Sequence, residues 1–363
     1  MKAILFRLAA VLISFAIVAL LVEVALRLLA PHLGVAVDEK SRFYRFDHEL
    51  GWAPIENITW GEKGDDFVHQ NQFGLRGPDD MQLKRTSGGK RTLVLGDSYV
   101  WGVGVSQEEL FTTAEVHGTN EELINCGVSG YGTDQEYLFY LLRGQKFDVD
   151  QVVLAFTLYN DVENNLNSKQ YSYLKPYFTL NGGQLVLHND HVQYSRVDNL
   201  FRTMKRDCRV WNLGGRGFDG FIKGCRSLRN TLLRKQKHLD TVVVVSDADR
   251  QGIELTLAIL NKLKEAVAAR DAEFYVVFIP YKPRVENHLP GNHSFAHLLA
   301  AGLTQMGVHY REPYPEFLKS AMAGVDPFNV GDNHFNAAGH ALFAKFVTDT
   351  DLARASTDYY AHQ

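Results

Sequence analysis

From Thr92 onward, short apolar runs alternate with amphipathic stretches, and that alternation leaves few folds open to the chain. Thr92–Leu95 reads as a buried strand, and Gly96 permits a sharp turn into Asp97 and Ser98. Ser106 with Glu109 has the pattern of a capping box opening a helix that runs to about His117. A second strand, Leu123–Cys126, gives way to a glycine-rich turn. Thr133 and Glu136 repeat the capping-box pattern, and Tyr137, Leu138, Leu141 and Leu142 supply an apolar stripe. Gln151–Thr157 is the third strand. Further on come a helix with Ile253, Leu257, Leu260, Leu263 and Val267 inward, and a strand at Phe274–Ile279. A helix near Phe295–Gln305, a short strand at Val308–Tyr310 and a last helix after Asn336 complete the series. Strand–helix alternation of this kind predicts a mostly parallel sheet with helices on both faces.

The N-terminus sets the compartment. Leu8 to Val22 is apolar apart from Ser14, and Ala3 to Val22 would span about 30 Å as a helix. Lys2 and Arg7 precede it, which favours a cytoplasmic N-terminus and export of the remainder of the chain. A cleaved signal peptide is the rival reading. It lacks a good small-x-small site, because Pro31 follows Ala30 and Glu23 stands two residues before Ala25. Glu23 and Arg27 are spaced to pair on one helix face. The expectation is an uncleaved, single-pass anchor over residues 1–30, with the catalytic part on the periplasmic or extracellular side.

Residues 31–90 carry aromatics and turn residues without strong periodicity. They read as a connector packed on the main domain, since Phe43, Tyr44, Phe46, Trp52, Trp60 and Phe73 need burial. Residues 91–363 form that domain, interrupted by an insertion at 162–239. The insertion contains a hairpin turning at Asn181–Gly183 and a basic, helical stretch from Lys223 to Lys237 that reads as a solvated face. A net charge of -4 and no long basic run argue against a nucleic-acid polyanion as the main partner. Three cysteines are too few for a disulfide scaffold; Cys126 reads as a buried apolar residue, while Cys208 and Cys225 are free to pair in an oxidising compartment.

Four loops fall where a parallel sheet collects its ligands, past the carboxyl ends of strands. They hold Gly96-Asp97-Ser98, the glycines ending at Gly130 and Gly132, Asn160-Asp161, and Asp332-Asn333-His334. Ser98 suits a nucleophile, His334 its base, and Asp332 the group that fixes the imidazole. The backbone N–H groups of Ser98 and Gly130 and the Asn160 amide suit an oxyanion hole. Asp97 reads as ordering the nucleophile turn and Asp161 as supporting its own loop. His340 reads as structural. His293 and His297 share a helix face without a third ligand, so no metal site is expected.

These blocks, in this order over residues 92 to 346, about 70% of the chain, resemble the SGNH/GDSL hydrolase family. The resemblance implies a flavodoxin-like three-layer α/β/α fold, ester hydrolysis or acyl transfer through a serine acyl-enzyme, and no cofactor. It implies Ser98, His334 and Asp332 as the catalytic triad, with Gly130 and Asn160 as oxyanion donors. Many members place the acid three residues before the histidine, where this chain has Gly331. Asp332 at two before is similar to the membrane-anchored and polysaccharide O-acetylation branches, and Asp326 is the alternative acid. The expected substrates are acyl, foremost acetyl, esters of envelope or exported polysaccharide. A transferase would need a membrane acyl-donor protein or an external donor. The alternatives are a lipid esterase or thioesterase of the same fold, or a non-catalytic carbohydrate-binding or assembly protein.

Overall fold

A computed structural model describes residues 2–30, 42–62, 65–86, 88–171, 173–197, 200, 204, 208–214, 245–289, 291–293 and 295–348. It divides into two units, one drawn from Met1–Tyr44 and Tyr194–Val242 and the other from Arg45–Gln193 and Val243–Gln363. The smaller unit contains α1 (Lys2–Leu29), within which Phe6–Leu29 is long and apolar enough to cross a membrane, with mean hydropathy 2.7. The expected Glu23–Arg27 ion pair forms at 2.9 Å. Cys225, its suggested pairing with Cys208, and the Lys223–Lys237 stretch lie outside the described residues.

The larger unit begins within β1 (Tyr44–Asp47) and continues with β2 (Gly51–Pro54) and the antiparallel pair β3 (Ile58–Glu62) and β4 (Asp65–Gln70). Then come β5 (Arg91–Gly96), α2 (Ser98–Trp101), α3 (Ala114–His117), β6 (Glu122–Gly127), α4 (Thr133–Leu142), β7 (Gln151–Phe156) and α5 (Asp161–Asn165). Two small antiparallel pairs follow, β8 (Lys169–Gln170) with β9 (Tyr173–Leu174), and β10 (Tyr177–Asn181) with β11 (Gln184–His188). The second is the expected hairpin, turning through Gly182 and Gly183. The remainder is α6 (Asp247–Ala268), β12 (Glu273–Phe278), α7 (Lys282–Glu286), α8 (Ala296–Gln305), β13 (His309–Arg311), α9 (Tyr314–Met322) and α10 (Ala337–Thr348).

Five strands form the central sheet in the order β13-β12-β7-β5-β6, every neighbouring pair parallel. Counted within the sheet this is 2-1-3-4-5, the flavodoxin-like winding, whose strand order reverses between the first and third strands. All residues of β5 and β7 are buried, as the continuous apolar runs require of strands covered on both faces. Core packing converges on Phe335, whose ring lies 4.8 to 5.4 Å from those of Tyr99, Phe317 and Phe343.

Three expectations need correction. The Ser106–His117 segment is not one helix. The Ser106 N–H does bond Glu109 Oε2 at 3.0 Å, but only a 3-10 turn forms over Gln107–Glu109. Leu110 then takes an extended conformation, which buries Leu110 and Phe111, and helix resumes at Ala114. Thr133 is not an N-cap: Gly132 is, and a Cβ there would press on Asn164 Cβ at 2.8 Å. The Asn165 side chain satisfies the Asp134 N–H at 3.0 Å instead. Trp60 remains 39% exposed, because β3 pairs only with β4 and turns its residues to solvent.

Lys175 and Asp134 form a fully buried ion pair behind α4. Breaking one side of such a pair strands the other charge in a low-dielectric interior. Lys175→Met is expected to cost about 3–5 kcal/mol in a denaturant titration, with Lys175→Met/Asp134→Asn recovering most of the loss. Equal stability of the single and double variants would contradict this account.

Candidate active site

The turn from β5 into α2 is held by close backbone approach. A Cβ at Gly127, the last residue of β6, would overlap the backbone nitrogen of Trp101; one at Gly96 would overlap the Val100 side chain. Asp97 caps α2, its Oδ1 accepting the Tyr99 N–H at 2.9 Å. Ser98 is therefore the first residue of a short helix at the carboxyl end of β5, and Asn160 follows β7 across the point where the strand order reverses.

His334 comes from the loop before α10. Its Nε2 lies 2.7 Å from Ser98 Oγ, and its Nδ1 bonds Asp332 Oδ1, which also accepts the His334 backbone N–H at 2.8 Å. Gly331 at φ +75° lets the chain double back so that an acid two residues before the histidine reaches the ring. The alternative acid is occupied elsewhere: Asp326 Oδ1 accepts the Phe328 N–H at 3.0 Å. Burial pushes the Asp332 carboxyl up, but the hydrogen bonds and charge of His334 outweigh it and leave it below the ordinary range. The geometry suits transfer of the Ser98 proton to an imidazole whose tautomer is fixed by a carboxylate.

Asn160 donates through Nδ2 to Asp97 Oδ2 at 3.1 Å, which leaves its second amide N–H for another acceptor. Its side chain caps no backbone group of α5. Gly130 sits at φ +79° in the β6–α4 loop. Asp161 Oδ2 accepts the Thr157 N–H at 2.7 Å, bracing the loop that carries Asn160. His340 is buried and stacked on Phe111, with burial lowering its pKa to about 3. His293 packs between Tyr281 and Phe295, and burial lowers its pKa to about 4.

Several supporting residues escaped the sequence reading. Lys282 is buried, and its Nζ donates to the carbonyls of Asn329 at 2.6 Å and Asp332 at 2.7 Å, pinning the histidine loop from α7. The Tyr99 hydroxyl donates to Asn333 O at 2.7 Å from the other side. Arg76, 2% exposed, donates to the carbonyls of Trp101, Gly102 and Val105 just past α2. Trp52 Nε1 donates to Ser129 O at 3.1 Å, and the Tyr131 hydroxyl donates to Trp52 O at 2.5 Å, so both neighbours of Gly130 are tied to β2. Tyr99 and Tyr131 fall within the Ser98 and Gly130 blocks without being assigned a role there, and Lys282, Arg76 and Trp52 lie outside the four blocks.

No protein-family model matches the sequence, and no curated protein matches it. Among solved structures the chain is similar to TesA, with 14% identity, coverage of 72% of this chain and 99% of that one, and a TM-score of 0.37. It is similar to the psychrotrophic esterase EstA from Pseudoalteromonas sp., with 13% identity, 76% and 100% coverage and a TM-score of 0.35. A variant of an acetyl xylan esterase from Geobacillus stearothermophilus gives 13% identity, 71% and 92% coverage and a TM-score of 0.36. The fold assignment itself rests on the strand order of the central sheet.

Behind the site lie three buried carboxyls, Asp97, Glu136 and Asp161. Burial raises all three, and for Glu136 and Asp161 the charges of neighbouring carboxylates push further in the same direction. Neither Glu136 oxygen has a hydrogen-bond partner. A carboxyl raised above its unfolded value holds its proton in the native state where the unfolded chain has released it. Stability contributed this way is present at low pH and lost as pH rises above the unfolded value. Glu136→Gln, which removes the ionisation, should stabilise the protein by about 1 kcal/mol or more at pH 8 and by less at pH 5. Thermal melts at the two pH values test this; a gain independent of pH would refute it.

Proposed function

We propose that this chain is a membrane-tethered, exported serine esterase or O-acyltransferase acting on acetyl and similarly small acyl esters of envelope or exported polysaccharide. The observation that carries the reading is the hydrogen-bonded series from Ser98 through His334 to Asp332, joined through the Asp97 turn to the Asn160 amide. A binding protein has no use for a nucleophile and base so matched.

In this reading Ser98 Oγ attacks the acyl carbonyl as its proton passes to His334 Nε2. The oxyanion is stabilised by the backbone N–H groups of Ser98 and Gly130 and the free N–H of Asn160. Collapse breaks the bond to the alcohol, which leaves with the proton from His334 and gives an acyl-serine. Water or a sugar hydroxyl, deprotonated in turn by His334, then attacks the acyl-serine. The acyl group departs as free acid or as a new ester, and Ser98 recovers its proton. Asp332 stabilises the imidazolium in both halves.

The carbohydrate and envelope side of the proposal draws support from two features. Tyr159 and Tyr281 are half-buried with ring centroids 5.1 Å apart, and the Tyr159 hydroxyl reaches that of Tyr99 at 3.3 Å. Such aromatic faces with polar rims suit sugar rings. The Phe6–Leu29 helix supports tethering to an envelope, with Lys2 and Arg7 on the cytoplasmic side.

The full chain in detergent should hydrolyse p-nitrophenyl acetate and lose activity as the acyl group lengthens. Ser98→Ala should lower kcat by about 10⁴-fold or more. Long-chain esters cleaved better than acetate would move the assignment to a lipid esterase. A folded protein with no turnover and no labelling of Ser98 by an organophosphonate would overturn the enzymatic reading. Lys282→Met, which frees the Asp332 carbonyl, should lower kcat roughly 10- to 100-fold with KM little changed. Unaltered kcat in that variant would remove Lys282 from the positioning of His334.

A further inference from the structure

Along α1 from Phe6 to Leu29, nearly every residue is exposed, and the half-buried exceptions are Glu23 and Leu26. Ala30, just past the helix and on the same face, is the next half-buried residue. What covers this stripe is a short helical stretch at 209–214, about 180 residues later in the chain. The contacts are reciprocal. Glu23 Oε2 accepts the Val210 backbone N–H at 3.0 Å and the Cys208 thiol at 3.6 Å, while its Oε1 takes Arg27 Nε at 2.9 Å. Arg209 Nη1 donates to the carbonyls of Leu26 at 3.0 Å and Ala30 at 3.3 Å, at the end of α1 where carbonyls run out of helical partners.

The level of this contact along the helix is informative. Glu23 stands about 26 Å beyond Phe6 at the α-helical rise, near the far boundary of a hydrocarbon layer about 30 Å thick. A carboxylate in the hydrocarbon is costly, whereas at the boundary it is tolerated when bonded, as here. The returning segment carries what membrane boundaries favour. Trp211 is 40% exposed, and Val197 and Leu200 are more so, while Arg209 supplies a cation. Ala19, Leu20, Met204, Val210 and Trp211 line an open apolar groove of about 670 Å³ in this same unit.

We infer that residues 208–214 form a second membrane-contacting element, docked on α1 through Glu23 and Arg209 and lying at the headgroup boundary with Trp211 against lipid. This rests on the reading of α1 as a membrane span and adds to it. On this inference the helix to which residues 209 and 210 bond belongs to the mature fold and is retained after export. The chain then meets the membrane at two points far apart in sequence, α1 and the 208–214 segment.

The test uses the full chain reconstituted in phosphatidylcholine vesicles. The emission contributed by Trp211 is obtained as the difference between the native chain and Trp211→Phe. Lipid brominated near the glycerol end of its acyl chains should remove about half or more of that emission, and lipid brominated near the chain terminus should remove much less. Glu23→Leu keeps α1 apolar but removes the acceptor, and should cut the quenching of Trp211 while the chain stays resistant to alkaline carbonate. If Trp211 is unquenched in a native chain that resists carbonate extraction, this inference fails and the tether stands. If N-terminal sequencing finds the chain beginning after residue 30, the tether and this inference fail together.

Discussion

The site depends on one close contact, the backbone of α2 lying directly on the end of β6. That approach is possible only because Gly127 presents no Cβ to the Trp101 nitrogen and Gly96 none to Val100. It fixes where Ser98 stands relative to the sheet before its hydrogen bond to His334 is formed. Asp97 then secures the turn in two directions, to the Tyr99 N–H within it and to the Asn160 amide across the reversal of strand order. A nucleophile held by packed backbone is held to within tenths of an ångström, the precision that pre-organised acyl transfer needs. In the proposed reading, catalytic geometry is first a consequence of sheet packing.

The histidine loop is positioned by a different device. Phe335, adjacent to His334, is buried among Tyr99, Phe317 and Phe343, so the loop is anchored by its neighbour's side chain while His334 itself stays accessible. Lys282 and the Tyr99 hydroxyl draw in the carbonyls on either side. Burying the Lys282 ammonium costs solvation, and the two carbonyls with the end of Glu286 at 3.5 Å offset that cost. Asp332 reaches the imidazole from two residues away because Gly331 turns in the left-handed region. The one-residue departure from the commoner spacing is thus absorbed locally.

The sheet was legible because its strands are buried on both faces and write themselves as apolar runs. All five appear within about two residues of their expected bounds, and the flavodoxin-like order follows the expectation. The four loops were legible because chemistry restricts their residue types. What was not legible is what holds them. Arg76 and Trp52 act on backbone carbonyls of Trp101, Gly102 and Ser129, and carbonyl partners leave no mark on a sequence. Residues 31–90 read as a connector packed on the main domain, and within them β2 and Arg76 brace the Ser98 turn and the glycine loop. At Ser106 the capping box forms, but burial of Leu110 stops the helix after one 3-10 turn, and at Thr133 the close approach of Asn164 moves the cap to Gly132. The strand-poor stretch before α10 hid a helix, Tyr314–Met322, whose buried Tyr314 and Phe317 feed the Phe335 cluster.

The buried carboxyls complete this picture from the side of cost. Asp97 has a use that justifies its burial, since both its oxygens accept hydrogen bonds that shape the site. Asp161 has half such a use, with Oδ2 engaged and Oδ1 unpartnered. Glu136 has none visible, and its carboxyl lies where Asp97 and Asp134 repel a charge. The only buried cation among these groups, Lys175, is committed to Asp134. Pushing these carboxyls toward the neutral form lowers the total charge behind the Ser98 turn, so that in the proposed reaction the negative charge developing at the acyl oxygen meets donors rather than a wall of anions. On that argument the carboxyl cluster is tolerated because protonation removes most of its repulsion. The stability it forfeits at high pH is the cost of burying carboxyls behind the Ser98 turn.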